Sequence, residues 1–249
     1  MNYVSLIDQI CEWIRGKVEE SSSRGVVLGL SGGLDSSVVL GLAARAMGEG
    51  AAGIIMPCHS NPEDEEHARR AADNFGVEII RLPLEKPFDS LLDIMPPVDD
   101  VLTHANVKAR LRMTALYYVA NCRSYLVAGT GNRSELTVGY FTKYGDGGAD
   151  ILPLGGLLKT QVRELAATLG VPREIIDKPP SAGLWKGQTD EEELGLDYRT
   201  LDDIIEAFDS GRQPDAPAES VEHVRSLIGK AGHKLSPPPA FFPPDPQKM

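Results

Sequence analysis

The residues with the clearest chemical potential form a short loop between two apolar segments. Residues 31–37, Ser-Gly-Gly-Leu-Asp-Ser-Ser, follow the apolar run 25–30 and precede a pattern typical of an apolar helix. Paired glycines let the backbone approach an anion, and the free N–H groups of a helix start add donors and the positive end of the helix dipole. The loop therefore predicts phosphate binding. The alternative is a tight strand-to-helix turn in which Ser or Asp only caps the helix.

The chemistry of this loop differs from that of two common phosphate loops. It lacks the Gly-Lys-Ser/Thr ending of a Walker-A loop and the Gly-x-Gly-x-x-Gly spacing of a dinucleotide site. It carries a carboxylate instead, Asp35, which is suited to a magnesium ion shared with pyrophosphate. Pyrophosphate as the leaving group implies attack at the α-phosphorus of ATP.

The elements that must position this loop alternate between strands and helices. Apolar runs at 25–30, 51–56, 77–82 and 124–129 each precede a helical pattern, and a weaker fifth run lies at 151–154. Alternation of this kind predicts an α/β fold with an open, doubly wound, Rossmann-like parallel sheet of five strands covered by helices on both faces. We expect one domain over residues 1–249, with a Pro-rich tail at 237–246.

Helices are predicted over the first twenty residues and at 36–47, 62–75, 103–121, 159–169 and 197–208. Two acidic runs, 63–66 and 190–193, are interpreted as solvated helix starts rather than as metal ligands. Gly- and Pro-rich loops are expected at 145–148, 179–187 and 211–217.

Composition narrows the possible partners. A net charge of -11 argues against a general nucleic-acid binder, which needs a surplus of Lys and Arg on its contact face. The three cysteines, Cys11, Cys58 and Cys122, are far apart and indicate neither a disulfide framework nor a zinc site. No apolar run approaches the length of a membrane span, so a cytoplasmic protein without membrane contact is expected.

Several segments carry a resemblance to a known family. The Ser-Gly-Gly-x-Asp-Ser loop resembles that of the ATP-pyrophosphatase group, whose members adenylate carboxylates or carbonyl-type oxygens. Residues 106–113, 129–135 and 139–154, the last including Gly-Tyr-Phe-Thr-Lys-Tyr-Gly-Asp-Gly-Gly-Ala-Asp, are similar to the NAD synthetase family within that group. Lys-Pro-Pro-Ser at 178–181 departs mildly from the Pro-Thr of the family, because Ser181 keeps the hydroxyl group and loses the methyl group.

The resemblance implies specific roles. It implies magnesium ligands at Asp35 and Glu135. The ATP contacts that it implies are Gly29, Leu30, Ser31, Gly32, Gly33, Leu34, Asp35, Ser36, Thr130, Lys159 and Ser181. The deamido-NAD contacts that it implies are Arg110, Lys143, Asp150, His233 and Lys234. Asp150 is also a candidate base for ammonium, and a charged helix face is the competing interpretation of the segment around Arg110.

The activity implied by the resemblance is ATP-dependent amidation of deamido-NAD with free ammonia, through an adenylated nicotinate. ATP is the co-substrate, Mg²⁺ the cofactor and a homodimer the expected assembly. Nicotinic acid mononucleotide presents the same reacting carboxylate, so the spacing of these residues does not separate the two substrates. More distant alternatives are a tRNA-modifying adenylyltransferase and a nucleotide-sensing module without turnover.

Overall fold

The computed structural model describes residues 1–185 and 187–243. In chain order the elements are α1 (Tyr3–Glu20), β1 (Gly25–Gly29), α2 (Leu34–Met47), a 3₁₀ turn (Gly48–Gly50), β2 (Ala51–Ile55), α3 (Pro62–Phe75), β3 (Glu78–Arg81), α4 (Glu85–Asp93), α5 (Val101–Arg123), β4 (Tyr125–Val127), α6 (Arg133–Val138), α7 (Lys159–Leu169), α8 (Arg173–Ile176), α9 (Asp190–Leu194), α10 (Tyr198–Ser210) and α11 (Ala218–Leu235).

A parallel sheet in the order β3-β2-β1-β4 forms the centre of the molecule. Alternate residues of β1 point to opposite faces. Val26 and Leu28 pack in the core formed with α1, α2 and α7, whereas Val27 packs in the core formed with α4 and α5. All three are fully buried. The predicted α/β architecture, with helices on both faces of a parallel sheet, is therefore confirmed.

The expected fifth strand is wrong. Ile151 forms only one parallel bridge, to Ala128, and the chain turns immediately afterwards with a hydrogen bond from Gly155 N to Leu152 O at 3.0 Å. Pro153 has no N–H to donate to a neighbouring strand. The sheet therefore has four strands in the described part of the chain.

The predicted helix patterns agree closely with the structure where hydrophobic periodicity and end signals coincide. The helices at 62–75 and 159–169 are confirmed with those boundaries, and Asn61 caps α3 by accepting from Glu63 N at 3.3 Å. The structure adds α4 and α11, which were not predicted. In α11, Val224 packs with residues of α6 and α10 in a third core, and Ala231 is also buried.

Helix α11 ends just before the expected Pro-rich tail at 237–246. His233 and Lys234 lie in the last turn of that helix, and the Pro-rich segment begins after it. Residues 244–246 of the expected tail, and position 186 of the expected 179–187 loop, lie outside the described residues. Across 1–185 and 187–243, every helix is too short or too polar to cross a membrane.

Candidate active site

The phosphate loop joins the carboxyl end of β1 to the start of α2. Gly33 is the N-cap of α2 and forms no side-chain capping hydrogen bond, so N–H groups of the first turn remain open to a ligand. Gly32 has φ +75°, and a Cβ at this position would lie 2.1 Å from the carbonyl oxygen of Asp64. Only glycine fits there, because the backbone needs both the left-handed conformation and the close approach.

The loop hydroxyls stabilise the loop itself. Ser36 Oγ and Ser37 Oγ donate to the carbonyl oxygen of Gly33 at 3.1 and 2.8 Å, and Gly33 N donates to Ser31 Oγ at 3.2 Å. All three hydroxyls therefore hold the turn, Ser36 and Ser37 as donors and Ser31 as an acceptor. The backbone N–H groups at the start of α2 are the donors left for an anion.

A cavity of about 750 Å³ opens at this end of the sheet, a volume suited to a nucleotide. It lies outside the carboxyl ends of parallel strands, where ligands of such folds bind. All the predicted ATP contacts except Gly32 line it: Gly29, Leu30, Ser31, Gly33, Leu34, Asp35, Ser36, Thr130, Lys159 and Ser181. The structure therefore brings these residues together around one space.

Two carboxylates share one cation at the wall of this cavity. The Lys159 ammonium contacts Asp35 Oδ2 and lies 3.0 Å from Glu135 Oε1. The side chains of Asp35, Glu135 and Lys159 are 16%, 15% and 7% exposed, so the group is poorly hydrated. Asp35 and Glu135, which are 100 residues apart in sequence, converge on the Lys159 ammonium.

Burial controls the protonation of this group. It raises the pKa of Glu135 to about 7, with Lys159 opposing the rise and Asp35 adding to it. Burial alone lowers the pKa of the Lys159 ammonium, but the Asp35 and Glu135 carboxylates more than offset this and raise it above its ordinary value. Lys159 therefore stays charged and offsets one of the two negative charges that the carboxylates can carry.

The acidic run 190–193 begins helix α9 as expected, but the interpretation of the run as solvated is wrong for Asp190. Asp190 is 4% exposed and accepts hydrogen bonds from Tyr140 and Tyr198 at 3.0 and 3.2 Å. The Tyr198 hydroxyl also lies 3.3 Å from Glu135 Oε1, and Glu193 accepts from Tyr140. Asp190 and Glu193 therefore face the site, whereas Glu191 and Glu192 are exposed outside it. Burial raises the pKa of Asp190.

In the other acidic run, 63–66, two residues are exposed to solvent and two line the cavity. Glu63 and Glu66 are exposed, as expected of a solvated helix start. Asp64 pairs instead with Lys178 at 2.5 Å, and Glu65 pairs with Arg81 at 2.8 Å. Both of these carboxylates line the cavity. Their partners lie close by because Arg81 is the last residue of β3 and Lys178 is the first residue of the 178–181 segment.

The predicted deamido-NAD contacts are not assembled around the cavity in the same way. Lys234 lines it and donates to the carbonyl oxygens of Gly139 and Phe141 at 2.7 and 2.8 Å. Lys143 Nζ binds the carbonyl oxygen of His233, so Lys143, His233 and Lys234 lie close together. The structure places Arg110, Lys143, Asp150 and His233 outside the cavity lining.

Asp150 has a structural environment. Its carboxylate accepts from the Tyr117 hydroxyl at 3.0 Å and from Val127 N at 2.7 Å, which ties the loop to β4. The hydrogen bond to Asp150 and burial together raise the pKa of Tyr117 to about 12, burial contributing more.

Sequence reasoning missed the inward face of α5. Lys108 is buried and donates to the carbonyl oxygen of Leu184 at 2.8 Å. Arg112, one turn further on, lines the cavity and donates to Met56 O and Ser60 Oγ at 3.2 and 3.0 Å. The four-residue spacing places these two side chains on one face, whereas Arg110 is exposed on another. That spacing was a usable signal.

A smaller cavity of about 50 Å³ adjoins the main one. Thr130, Glu135 and Asp146 line both spaces. A volume of this size holds one or two molecules as small as water. Asp146 lines both cavities although the residue as a whole is solvent-exposed, and its Oδ1 accepts from Thr142 N at 2.9 Å. Desolvation by the surrounding protein atoms raises the pKa of its carboxyl group.

Comparisons with known proteins agree on one family. The family model described as NAD synthase matches residues 6–238. The NH(3)-dependent NAD(+) synthetase of Carboxydothermus hydrogenoformans is 46% identical over 238 residues, covering 94% of this chain and 96% of the relative. The protein of the same name from Methanocaldococcus jannaschii is also 46% identical, covering 94% of this chain and 95% of the relative.

Solved structures extend the agreement to the fold. An NMN synthetase from Francisella tularensis superimposes with a TM-score of 0.90 at 34% identity, covering 98% of this chain and 100% of that one. The NH3-dependent NAD synthetase from Campylobacter jejuni, in complex with the nitrate ion, gives a TM-score of 0.84 at 28% identity, with coverage of 97% and 100%.

Proposed function

The chain belongs to the NAD synthase family, and on that premise we infer that it uses ATP and ammonia to convert deamido-NAD into NAD, releasing AMP and pyrophosphate. It is an ammonia-dependent carbon–nitrogen ligase. The observation that carries the site assignment is the convergence of Asp35, Glu135 and Lys159 beside the open N-terminus of α2.

Adenylation explains why the site needs this arrangement. A carboxylate resists attack by ammonia because its charge is delocalised and oxide is a very poor leaving group. In the first step, a nicotinate carboxylate oxygen attacks the α-phosphorus, a bond forms between that oxygen and phosphorus, and pyrophosphate leaves. The N–H groups at the start of α2 and the Lys159 ammonium stabilise the charge that develops on pyrophosphate.

Mg²⁺ fits the donor set of the site. The Lys159 ammonium already occupies a position between Asp35 and Glu135, which supports the idea that the two carboxylates can share a cation. Two carboxylates together with nucleotide phosphates are ligands that Mg²⁺ favours. When bound, the ion would neutralise phosphate charge. Lys159 would then pair with phosphate oxygens as a compact positive charge.

The small side cavity suits ammonia in the second step. Ammonia adds to the carbonyl carbon of the mixed anhydride, AMP leaves, and one proton must be removed from nitrogen. Asp146 lines both cavities, and its raised pKa favours proton uptake. Asp150 was the candidate base from sequence, but it lines neither cavity, and its hydrogen bonds to Tyr117 and Val127 N support a structural role. We therefore assign the proton acceptor to Asp146.

A second copy of the chain would complete the deamido-NAD site. Arg110 lies on α5 outside the cavity, and large apolar side chains are exposed before and along the same helix: Ile94, Met95, Val98, Val101, Leu102 and Tyr118. An exposed apolar patch of this kind favours association, and a two-fold contact through α5 would bring Arg110 to the partner subunit. The homodimer implied by the sequence resemblance is therefore the assembly we infer.

The substrate could also be nicotinic acid mononucleotide, since the Francisella tularensis structure is of an NMN synthetase. The curated relatives at 46% identity are NAD synthetases, which supports deamido-NAD as the substrate. Between the two solved structures, the NMN synthetase has the higher identity, at 34% against 28%. The two substrates share the carboxylate that reacts. They differ in the adenylate half, which would lie near the outer residues Lys143 and His233.

Isotope transfer tests the adenylation step directly. Deamido-NAD labelled with ¹⁸O in both carboxylate oxygens is turned over with ammonium and Mg-ATP, and the AMP is examined by mass spectrometry. Attack by the carboxylate predicts one ¹⁸O atom in each AMP formed. Unlabelled AMP would show that nicotinate is not adenylated.

A further inference from the structure

Asn132 occupies a distinctive position between the two acidic groups of the site. It is the N-cap of α6, on the segment that follows β4, and it is completely buried. Its side-chain Oδ1 accepts from Glu135 N at 3.1 Å, and its backbone N donates to Glu135 Oε2 at 3.3 Å. These two bonds form a capping box.

The remaining side-chain group of Asn132 has a different partner. Nδ2 donates to Asp35 Oδ1 at 3.0 Å, across 97 residues of sequence. Asn132 therefore binds one oxygen of each carboxylate, Oδ1 of Asp35 and Oε2 of Glu135. The other two oxygens, Asp35 Oδ2 and Glu135 Oε1, are those that meet at the Lys159 ammonium.

We propose that Asn132 is a positioning residue that fixes the separation and orientation of Asp35 and Glu135, and thereby sets how tightly this pair holds a divalent cation. This inference rests on the proposed role of the pair as Mg²⁺ ligands. Residues that hydrogen-bond to metal ligands commonly change metal affinity because they restrict where the ligand atoms lie.

Capping alone does not account for an asparagine here. A cap needs only an oxygen that accepts from the first turn, which Ser, Thr or Asp would also provide. The amide N–H₂ of Asn132 is used instead to hold Asp35. The capping Asn2 of α1 provides a contrast, because it is exposed, accepts from Ser5 N and lies on a helix with no residue in the cavity lining.

The test compares Asn132→Ser with Asn2→Ser. Both substitutions keep a capping hydroxyl, and only the first removes the donor to Asp35. Binding of Mn²⁺ to the full-length protein with α,β-methylene-ATP is measured by electron paramagnetic resonance, together with the Mg²⁺ dependence of NAD formation and the thermal unfolding midpoint. We expect Asn132→Ser to weaken Mn²⁺ binding by about 10-fold or more and to raise the Mg²⁺ requirement in parallel.

With saturating Mg²⁺, kcat of Asn132→Ser should recover to within a few-fold of the native value, whereas Asn2→Ser should match the native protein throughout. Unchanged Mn²⁺ affinity in folded Asn132→Ser overturns the proposal, including when the variant is less stable, since that pattern describes a helix cap only. Asn132→Thr is used in the same assays if the serine variant does not fold.

The proposal and the proposed function can fail separately. If the native protein binds Mn²⁺ in a manner that depends on Asn132 but forms no NAD, the positioning role stands and the activity does not. If NAD forms but the Mg²⁺ requirement is the same in Asn132→Ser and in the native protein, the activity stands and the positioning role does not.

Discussion

The adenylation centre and the outer substrate residues differ in how completely one chain builds them. At the centre, Asp35, Glu135 and Lys159 are at most 16% exposed and each is held by charged or buried partners. In the outer group, Arg110 and His233 are exposed, and Lys143 binds backbone carbonyl oxygens rather than facing the cavity. The adenylation centre is already assembled around the Lys159 ammonium, whereas the outer residues do not line one shared cavity.

The phosphate chemistry and the binding of the dinucleotide therefore have different structural requirements. The phosphate chemistry needs preorganised charge, because electrostatic stabilisation is strongest where groups are fixed before the reaction begins. Binding of the large dinucleotide can use residues from two subunits, since it needs contact area rather than fixed charge at one point. The account therefore predicts that changes at the centre lower kcat, and that changes in the outer group raise KM and respond to subunit mixing.

The largest effect is expected from Asp35→Asn. The amide keeps the shape but removes the charge that would hold Mg²⁺, so kcat should fall by at least about 100-fold with little change in unfolding temperature. Steady-state kinetics and circular dichroism measure the two properties. Asp8→Asn, which breaks an exposed ion pair with Arg45 at 2.7 Å, is the matched control. Normal turnover in Asp35→Asn would remove the basis for the site.

Lys159→Met is expected to change catalysis and metal binding in opposite directions. The variant keeps the length of the side chain and removes its charge, so kcat should fall by roughly 100-fold because pyrophosphate loses a stabilising cation. Mn²⁺ binding without nucleotide should become tighter, since the ammonium no longer occupies the space between Asp35 and Glu135. Lys17→Met, at a surface pair with Glu20, serves as the control. Weaker Mn²⁺ binding in Lys159→Met would contradict competition for one position.

The pH dependence should report Asp146. Because desolvation raises its pKa, the acid limb of kcat/KM should lie above the range of an ordinary aspartate, and activity should fall as Asp146 becomes protonated at lower pH. Asp146→Asn should lose the limb set by Asp146 and show instead a rate that rises up to the pKa of ammonium, with about a tenth or less of the native activity at neutral pH.

The profile is measured at fixed total ammonium for both proteins. The rate of Asp146→Asn should follow the concentration of free NH₃, since the variant has no group to take a proton from bound ammonium. An acid limb that is the same in both proteins would exclude Asp146 as the proton acceptor.

Subunit mixing tests the outer group. Arg110→Ala should raise the KM for deamido-NAD with a smaller effect on kcat, whereas Asp35→Asn abolishes chemistry. If Arg110 serves the site of the partner subunit, co-refolding equal amounts of the two variants puts half of the chains in mixed dimers, each with one intact site. About a quarter of the native activity should return at low deamido-NAD. No recovery in dimers shown to be mixed would place Arg110 in its own subunit's site.

Sequence predicted the central region well because its signals are local. The two glycines of residues 31–37 require a close approach and a positive φ, which Gly32 satisfies, and β1 and α2 lie on either side of the loop as their apolar patterns indicate. The boundaries of α3 and α7 followed from end signals in the same way. The expectation that Asp35 and Glu135 lie together came from the family resemblance, and the structure places both beside Lys159.

What sequence did not predict depends on partners that are distant along the chain. Asp190 looked like a solvated acid because its neighbours are acidic, and only Tyr140 and Tyr198 make it a buried residue. The run at 151–154 is apolar enough for a strand, but Pro153 and the turn after it end the pairing at one bridge. In α5, Arg112 lines the cavity and Arg110 is exposed, because only one face of the helix packs on the sheet.

Product stoichiometry is the most direct test of the central claim. Purified protein is incubated with Mg-ATP and ammonium, with either deamido-NAD or nicotinic acid mononucleotide, and NAD or NMN, AMP and ADP are quantified together. The account predicts one NAD and one AMP for each ATP consumed, with deamido-NAD preferred and no ADP. Formation of ADP, or AMP release with no amide from either substrate, would contradict it.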